Sequence, residues 1–153
     1  MEKTILTYGT FDMFHIGHLN LIKRASELGD RLIVAVSTDE FNLLKGKKCI
    51  IPFEQRAEIV RAINGVDLVI PENHWEQKIS DIQTYEVDMF LMGNDWEGKF
   101  DFLNEFCEVQ YLPRTDGIST TSLKGSLKNF LSVPKEEILN AFEILEILKK
   151  DFE

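Results

Sequence analysis

The sequence has little that would support a disulfide framework, a membrane span or a nucleic-acid-binding surface. Its two cysteines, Cys49 and Cys107, are far apart, and we expect both to be reduced thiols. No apolar stretch approaches the length of a membrane span, and residues 1–5 have no signal-like apolar region, so we expect a cytoplasmic location. The 17 basic residues against 26 acidic ones give a net charge of -9, which argues against a nucleic-acid partner.

Short apolar runs alternate with helical patterns along most of the chain. The strand-like runs lie at about residues 4–8, 31–37, 68–70, 89–92 and 109–112, and the helical patterns at about 18–28, 52–63, 76–84 and 99–106. This alternation predicts a parallel sheet with right-handed crossovers and helices on both faces. The predicted fold is therefore α/β, a single-domain Rossmann-like doubly wound sheet of about five strands. Its ligand would bind beyond the carboxyl ends of the strands.

A further helical region follows the last predicted strand. Ser119 or Thr120 could cap a helix through residue 130, and residues 135–153 carry a broad apolar stripe after Pro134. The sequence thus predicts one domain at residues 1–131 and a C-terminal helical extension at 132–153. The stripe either packs on its own domain or contacts a partner helix or a second copy, and both alternatives stay open.

The segment Gly9–His18 carries the most information about function. It places His15 and His18 three residues apart where an apolar strand passes into a helix, so both would lie on the first helical turn. The N–H groups of that turn have no intrahelical partners and form an anion site. Gly17 would let a phosphate approach the backbone. Two other interpretations are helix capping alone and a metal site, although no further His or Cys cluster completes a metal site.

The pattern GTFDxxHxGH resembles the signature of the cytidylyltransferase branch of the nucleotidyltransferase superfamily. Four later blocks appear in the order typical of that family: residues 37–42, 75–78, 92–101 and 112–121. Together they resemble the members that use glycerol 3-phosphate as acceptor. Two positions depart from the pattern, because Asn94 stands where Asp is common and Asn64 where Arg is common.

The resemblance implies transfer of CMP from CTP to sn-glycerol 3-phosphate, with CDP-glycerol and pyrophosphate as products. CDP-glycerol would serve a cell-surface polymer such as teichoic acid or a capsule. Positioning and cations can drive such a transfer without a covalent nucleophile. The resemblance also implies a homodimer and a Mg²⁺ ion bound through the CTP phosphates. The alternatives are another acceptor, such as ethanolamine phosphate, choline phosphate or a different polyol phosphate, and a non-catalytic nucleotide-binding module.

The resemblance assigns candidate residues to three roles. The catalytic candidates are His15, His18, Lys47 and Arg114. The CTP-binding candidates are Gly9, Thr10, Phe11, His15, Gly17, His18, Lys47, Asp95, Arg114, Thr115, Ser119 and Thr120. The acceptor-binding candidates are Lys45, Trp75 and Lys78, followed by Asp12, Asp39 and Arg56, for which a structural role is an equal alternative.

Overall fold

A computed structural model describes residues 1–152 and contains one five-stranded parallel sheet. The strands are β1 (Thr4–Gly9), β2 (Arg31–Ser37), β3 (Leu68–Glu72), β4 (Met89–Gly93) and β5 (Glu108–Leu112). Their order across the sheet is β3-β2-β1-β4-β5, and every neighbouring pair is parallel. The predicted doubly wound α/β fold is confirmed.

Six α-helices accompany the sheet in the described residues. They are α1 (Ile16–Glu27), α2 (Asp39–Leu44), α3 (Phe53–Arg61), α4 (Gln77–Thr84), α5 (Thr120–Leu131) and α6 (Lys135–Lys150). The sequence did not predict α2, whose first turn is capped by the side chain of Thr38. The region predicted as a helix at 99–106 instead forms a 3-10 turn at Asp101–Glu105. Gly98, directly before the predicted region, has a φ of +81°.

The apolar strands are buried on both faces, which explains why they are continuous apolar runs. Ile5 and Val34 belong to the cluster on one face, where they pack with Ile22 of α1. Leu6 directly follows Ile5, Ile33 directly precedes Val34, and both belong to the cluster on the other face. Alternate residues of each strand therefore fill two cores.

The strand order places a binding crevice at the carboxyl end of β1. The chain runs outward from β1 to β2 and β3 on one side, and β4 and β5 lie on the other. Because the winding direction reverses between β1 and β4, the loops that follow these strands separate and leave space for a ligand. The Gly9–His18 segment begins at this point.

The contacts divide the chain into two compact units, Met1–Thr120 and a helical unit from Thr121 onward. This division falls inside α5, earlier in the chain than the predicted boundary at residues 131 and 132. The role of the apolar stripe on α6 stays a prediction. Within the described residues, no helix has the length and apolar character needed to cross a bilayer.

Candidate active site

The two histidines of the Gly9–His18 segment cap the first turn of α1 reciprocally. His15 is the N-cap residue, and its Nδ1 atom accepts a 3.0 Å hydrogen bond from the backbone N–H of Gly17. His18 Nδ1 accepts a 3.2 Å hydrogen bond from the backbone N–H of His15. The two rings stack with their centroids 3.8 Å apart and an interplanar angle of 23°. The pair therefore forms a capping box made of two imidazoles.

These backbone contacts determine where each neutral ring carries its proton. Because both Nδ1 atoms accept from N–H groups, the proton of each neutral ring must be on Nε2. His15 Nε2 is shielded from solvent and has no hydrogen-bond partner among the described residues. His18 Nε2 lies 3.4 Å from the hydroxyl oxygen of Thr120. A shielded N–H group that makes no hydrogen bond costs free energy, and a ligand oxygen would accept that hydrogen bond.

Burial favours the neutral form of both imidazoles. It lowers the pKa of His18 to about 4, an effect that His15 strengthens and the Asp12 carboxylate opposes. Burial is also the largest cause of the lowered pKa of His15, and the positive charge of Arg114 adds to it. An arriving polyphosphate would act in the opposite direction and favour protonation of both rings.

The backbone around the pair is strained and closely packed. Phe11 and Met13 have φ values of 55° and 51°, in the left-handed region that side chains other than glycine rarely adopt. The buried ring of Phe11 contacts His18 edge-on, with centroids 5.4 Å apart, and so anchors this turn. A Cβ atom at Gly17 would lie 2.8 Å from the ring of His15, so only glycine leaves the stacked pair undisturbed.

The segment after β5 runs beside the first turn of α1. Asn20 donates a 3.1 Å hydrogen bond to the hydroxyl of Thr115, and the hydroxyl of Thr120 donates a 3.0 Å bond to the backbone carbonyl of Asp12. Arg114 is exposed, and its charge acts on the first histidine of the pair. The structure thus brings the predicted guanidinium and hydroxyl groups to the histidine pair.

A buried arginine ties together the loops that follow β1 and β2. The Arg56 side chain is fully buried and donates to the carbonyl oxygens of Thr10, Ser37 and Ile51 at 2.7, 2.8 and 2.8 Å. It also forms a 2.7 Å ion pair with Asp39. The geometry favours the structural alternative for Arg56, whereas the Asp39 side chain stays 39% exposed.

Asp12 follows β1 and has a similar structural role, because it binds the loop before α3. Its carboxylate accepts from the backbone N–H groups of Met13, Ile50 and Ile51 at 3.1, 2.8 and 2.9 Å. The residue is only 1% exposed. The structural alternative is therefore favoured for Asp12 as well, because these amides occupy its carboxylate oxygens.

A pocket of about 470 Å³ lies beyond the strand ends, next to the loops that follow β2, β3 and β4. Its lining combines aromatic rings with basic and acidic side chains: Phe41, Leu44, Lys45, Lys47, His74, Trp75, Glu76 and Trp96. Trp75 is 43% exposed, and its ring lies 5.5 Å from that of Phe41 and 6.0 Å from that of Trp96. The structure places Lys45, Lys47 and Trp75, all predicted site residues, in one pocket.

Two lysines contact the aromatic rings of this region. Lys45 Nζ lies 4.4 Å from the centroid of Phe41 and 5.3 Å from that of Trp75. Burial lowers the pKa of Lys45 from its usual value, and the Glu72 carboxylate opposes this. Lys78 is 2% exposed and pairs with Glu72 at 2.9 Å. Lys78 is therefore a buried residue that does not line the pocket itself but lies 4.7 Å from the ring centroid of Trp75, which does.

The remaining predicted residues lie at neighbouring strand ends. Gly9 is the last residue of β1, and Thr10 follows it. Asp95 is exposed in a short 3-10 turn directly after β4, and Ser119 directly precedes α5. These positions lie along the carboxyl edge of the sheet, and their part in binding stays a prediction.

Sequence reasoning missed four residues that build this region. Phe41 and Trp96 line the pocket, Glu72 neutralises Lys78, and Asn42 accepts a 3.3 Å hydrogen bond from the Thr10 hydroxyl. One signal was available, since Glu72 ends an apolar strand as a charged residue that is only 3% exposed. A buried charge of this kind requires a partner.

The described residues contain no group of three or more His, Cys, Asp or Glu side chains arranged to hold a metal ion. The Asp12 carboxylate acts electrostatically on His18, and backbone amides donate hydrogen bonds to both of its oxygens. The Mg²⁺ ion stays a prediction.

Comparison with known proteins agrees with this geometry. The model of the cytidylyltransferase-like family matches residues 6–126. A glycerol-3-phosphate cytidylyltransferase of Bacillus spizizenii is 62% identical over 82% of this chain and 97% of its own length. One from Staphylococcus aureus is 56% identical, over 82% of this chain and 95% of its own.

Solved structures support the fold. A lipopolysaccharide core biosynthesis protein of Thermoplasma volcanium superposes with a TM-score of 0.64 at 22% identity, over 75% of this chain and 98% of that one. A putative nicotinate-nucleotide adenylyltransferase of Vibrio parahaemolyticus gives a TM-score of 0.58 at 18% identity, over 84% and 88%. The family match and the two close relatives confirm the resemblance found in the sequence, and the chain belongs to the cytidylyltransferase-like family.

Proposed function

We propose that this chain is an enzyme that transfers CMP from CTP to sn-glycerol 3-phosphate. An oxygen of the acceptor phosphate attacks the α-phosphorus of CTP, the bond to the β-phosphate breaks, and pyrophosphate leaves as CDP-glycerol forms. The named activity of relatives that are 62% and 56% identical over nearly their whole length supports this assignment.

One observation in the structure carries the proposal. The stacked imidazoles of His15 and His18 use their Nδ1 atoms for helix capping, which leaves the Nε2 atoms for a ligand. His15 Nε2 is a shielded donor without a partner among the described residues. Donors at a helix N-terminus bind anionic oxygens, and the α- and β-phosphates of a nucleotide fit that requirement.

Three further positive charges would stabilise the negative charge that develops on the phosphate oxygens during the transfer. Arg114 lies close enough to His15 to affect its pKa, and a planar guanidinium can hold two phosphate oxygens at once. Lys47 is exposed at the pocket and would contact the leaving pyrophosphate. A Mg²⁺ ion held by the triphosphate would neutralise further negative charge. These groups position and stabilise, which is how proteins accelerate transfers of phosphorus groups.

The acceptor would bind in the pocket lined by Phe41, Lys45, Lys47, Trp75 and Trp96. Its phosphate requires positive charge, which Lys45 provides, and its carbon chain can lie on the aromatic rings. The polymer that CDP-glycerol would supply, the pairing of two chains and a cytoplasmic location stay predictions.

Pyrophosphate release tests the assignment. The purified chain would be incubated with CTP, Mg²⁺ and one phosphomonoester at a time, from a set of glycerol 3-phosphate, ethanolamine phosphate, choline phosphate and ribitol 5-phosphate. We expect the highest kcat/KM with glycerol 3-phosphate. A preference for another ester would refute the acceptor assignment, and release with none of them would favour a non-catalytic nucleotide-binding module.

A further inference from the structure

The aromatic rings around the acceptor pocket already carry ammonium groups that belong to the chain itself. We propose that Lys45 and Lys78 occupy the ring faces on which an ammonium-bearing acceptor would bind, so that the pocket accepts a polyol phosphate and rejects choline phosphate or ethanolamine phosphate. This inference rests on the proposed function, and it assigns to two lysines the discrimination between neutral and cationic acceptors.

Lys78 fills the inner part of the aromatic cluster. Its Nζ atom lies 4.6 Å from the ring centroid of Tyr8, 4.7 Å from that of Trp75 and 5.5 Å from that of Phe100. Three rings around one ammonium group form the kind of cage that binds quaternary ammonium ligands. Here the cation is the ammonium group of Lys78 itself, whose Nζ atom lies 2.9 Å from a carboxylate oxygen of Glu72.

Lys45 covers the outer part of the same cluster. Its Nζ atom lies 4.4 Å from the centroid of Phe41 and 5.3 Å from that of Trp75. Trp75 is thus shared by both lysines, and its indole is the best cation–π acceptor among the common side chains. A second ammonium group arriving with a ligand would have to displace Lys45 or bind beside it.

The balance of charge also opposes a cationic acceptor. Lys47 and Lys78 both act electrostatically on Lys45, so two further ammonium groups lie within interaction range of Lys45. One buried carboxylate, Glu72, faces them, and the Glu76 side chain is 84% exposed. Like charges at such distances repel, whereas the phosphate of any acceptor is attracted.

A polyol meets neither obstacle. Its hydroxyl oxygens can accept hydrogen bonds from the ammonium groups of the lysines, and its carbons can rest on the exposed face of Trp75. The lysines therefore favour the neutral acceptor and disfavour the cationic one, which is discrimination by attraction and repulsion together.

The test replaces Lys45 by methionine, which keeps the length of the side chain and removes its charge. Tetramethylammonium serves as the probe, and the fluorescence of Trp75 and Trp96 reports its binding without any need for turnover. We expect saturable quenching in Lys45→Met and none in the unchanged chain. In the acceptor assay, kcat/KM for choline phosphate relative to glycerol 3-phosphate should rise at least about tenfold.

Two variants control this experiment. Lys45→Arg keeps the cation and should retain the original selectivity. Lys99→Met removes a lysine that lies 5.2 Å from the Trp96 ring but is not among the residues lining the pocket, and it should behave like the unchanged chain. Circular dichroism of each variant checks that the fold is retained.

The outcomes separate this inference from the proposed function. Quenching by tetramethylammonium in the unchanged chain, or none in a folded Lys45→Met variant, would overturn the role of the lysines. If the unchanged chain does not use glycerol 3-phosphate, the proposed function fails, while the fluorescence titration still decides whether Lys45 excludes an ammonium ligand.

Discussion

The two nitrogen atoms of His18 have separate tasks, and one pair of substitutions can separate them. In asparagine the side-chain oxygen is bonded to Cγ, as Nδ1 is in histidine, so His18→Asn can still accept from the backbone N–H of His15. It has no atom at the position of Nε2. His18→Ala lacks both atoms. Helix capping should therefore survive in His18→Asn and be lost in His18→Ala, while both variants lose the Nε2 donor that we propose for the nucleotide phosphates.

The expected sizes of the two effects differ greatly. Loss of a side-chain cap costs about 1 kcal/mol of unfolding free energy, which corresponds to roughly 2–4 °C in Tm for a domain of this length. Loss of one preorganised donor to a developing negative charge lowers kcat by about 10²–10³-fold. Both variants lose the stacking of His18 on His15, so that contribution cancels when they are compared with each other.

Urea unfolding and CTP-dependent pyrophosphate release provide the two measurements. We expect the variants to be about equally inactive and His18→Asn to be about 1 kcal/mol more stable than His18→Ala. If His18→Asn kept more than about a tenth of the original kcat, Nε2 would not be the functional atom. If both variants were equally unstable, the capping role of Nδ1 would be refuted.

Three further predictions follow from burial and packing. Acidification from pH 7 to pH 4 should destabilise the unchanged chain by about 3 kcal/mol more than His18→Asn, because the unfolded His18 ring gains its proton near pH 6.5 and the folded ring only near pH 4. If urea unfolding showed the same change of unfolding free energy with pH in both proteins, this reasoning would be contradicted. Arg56→Met should cost at least about 3 kcal/mol in urea unfolding because it leaves the carbonyl oxygens of Thr10, Ser37 and Ile51 without their shared donor, whereas the exposed Arg61→Met should change stability by less than about 0.5 kcal/mol. Gly17→Ala should lower kcat at least about tenfold because its Cβ atom would displace the His15 ring, and an unchanged kcat would refute this. Gly125→Ala in α5, where a Cβ atom meets open space, should instead raise the free energy of unfolding by about 0.5–1 kcal/mol.

The sheet could be predicted from the sequence because its strands are buried on both faces. The strand predicted at residues 31–37 contains a continuous apolar run at 32–36 without helical periodicity, and Arg31 and Ser37 flank that run, so both ends of β2 were visible. Helix α2 was missed for the opposite reason. It has six residues, of which only Phe41 and Asn42 are buried, and so short an element shows no periodicity.

Contacts between distant segments could not be predicted from local patterns. Arg56 bonds to the carbonyl of Thr10 across 46 positions, and Asp12 bonds to the amide of Ile50 across 38. Nothing near any of these residues in the sequence indicates its partner, because the folded sheet creates the proximity. An Asp or Arg within a functional block therefore has the same local signature whether it contacts a ligand or holds the block in place.

The histidine pair shows why one short motif was nevertheless sufficient to indicate the family. A capping box requires its two side chains at N-cap and N3, which are three residues apart, and this sets the spacing of His15 and His18. The ring of His15 leaves no room for a side chain two residues later, so glycine is required at position 17. Because Nδ1 is used for capping, each neutral ring must carry its proton on Nε2, so the contacts that form the helix also orient the donors that we propose for phosphate binding. The motif can be recognised in the sequence because its spacing is a requirement of local backbone geometry, whereas the acceptor pocket, assembled from the ends of three strands, has no such requirement.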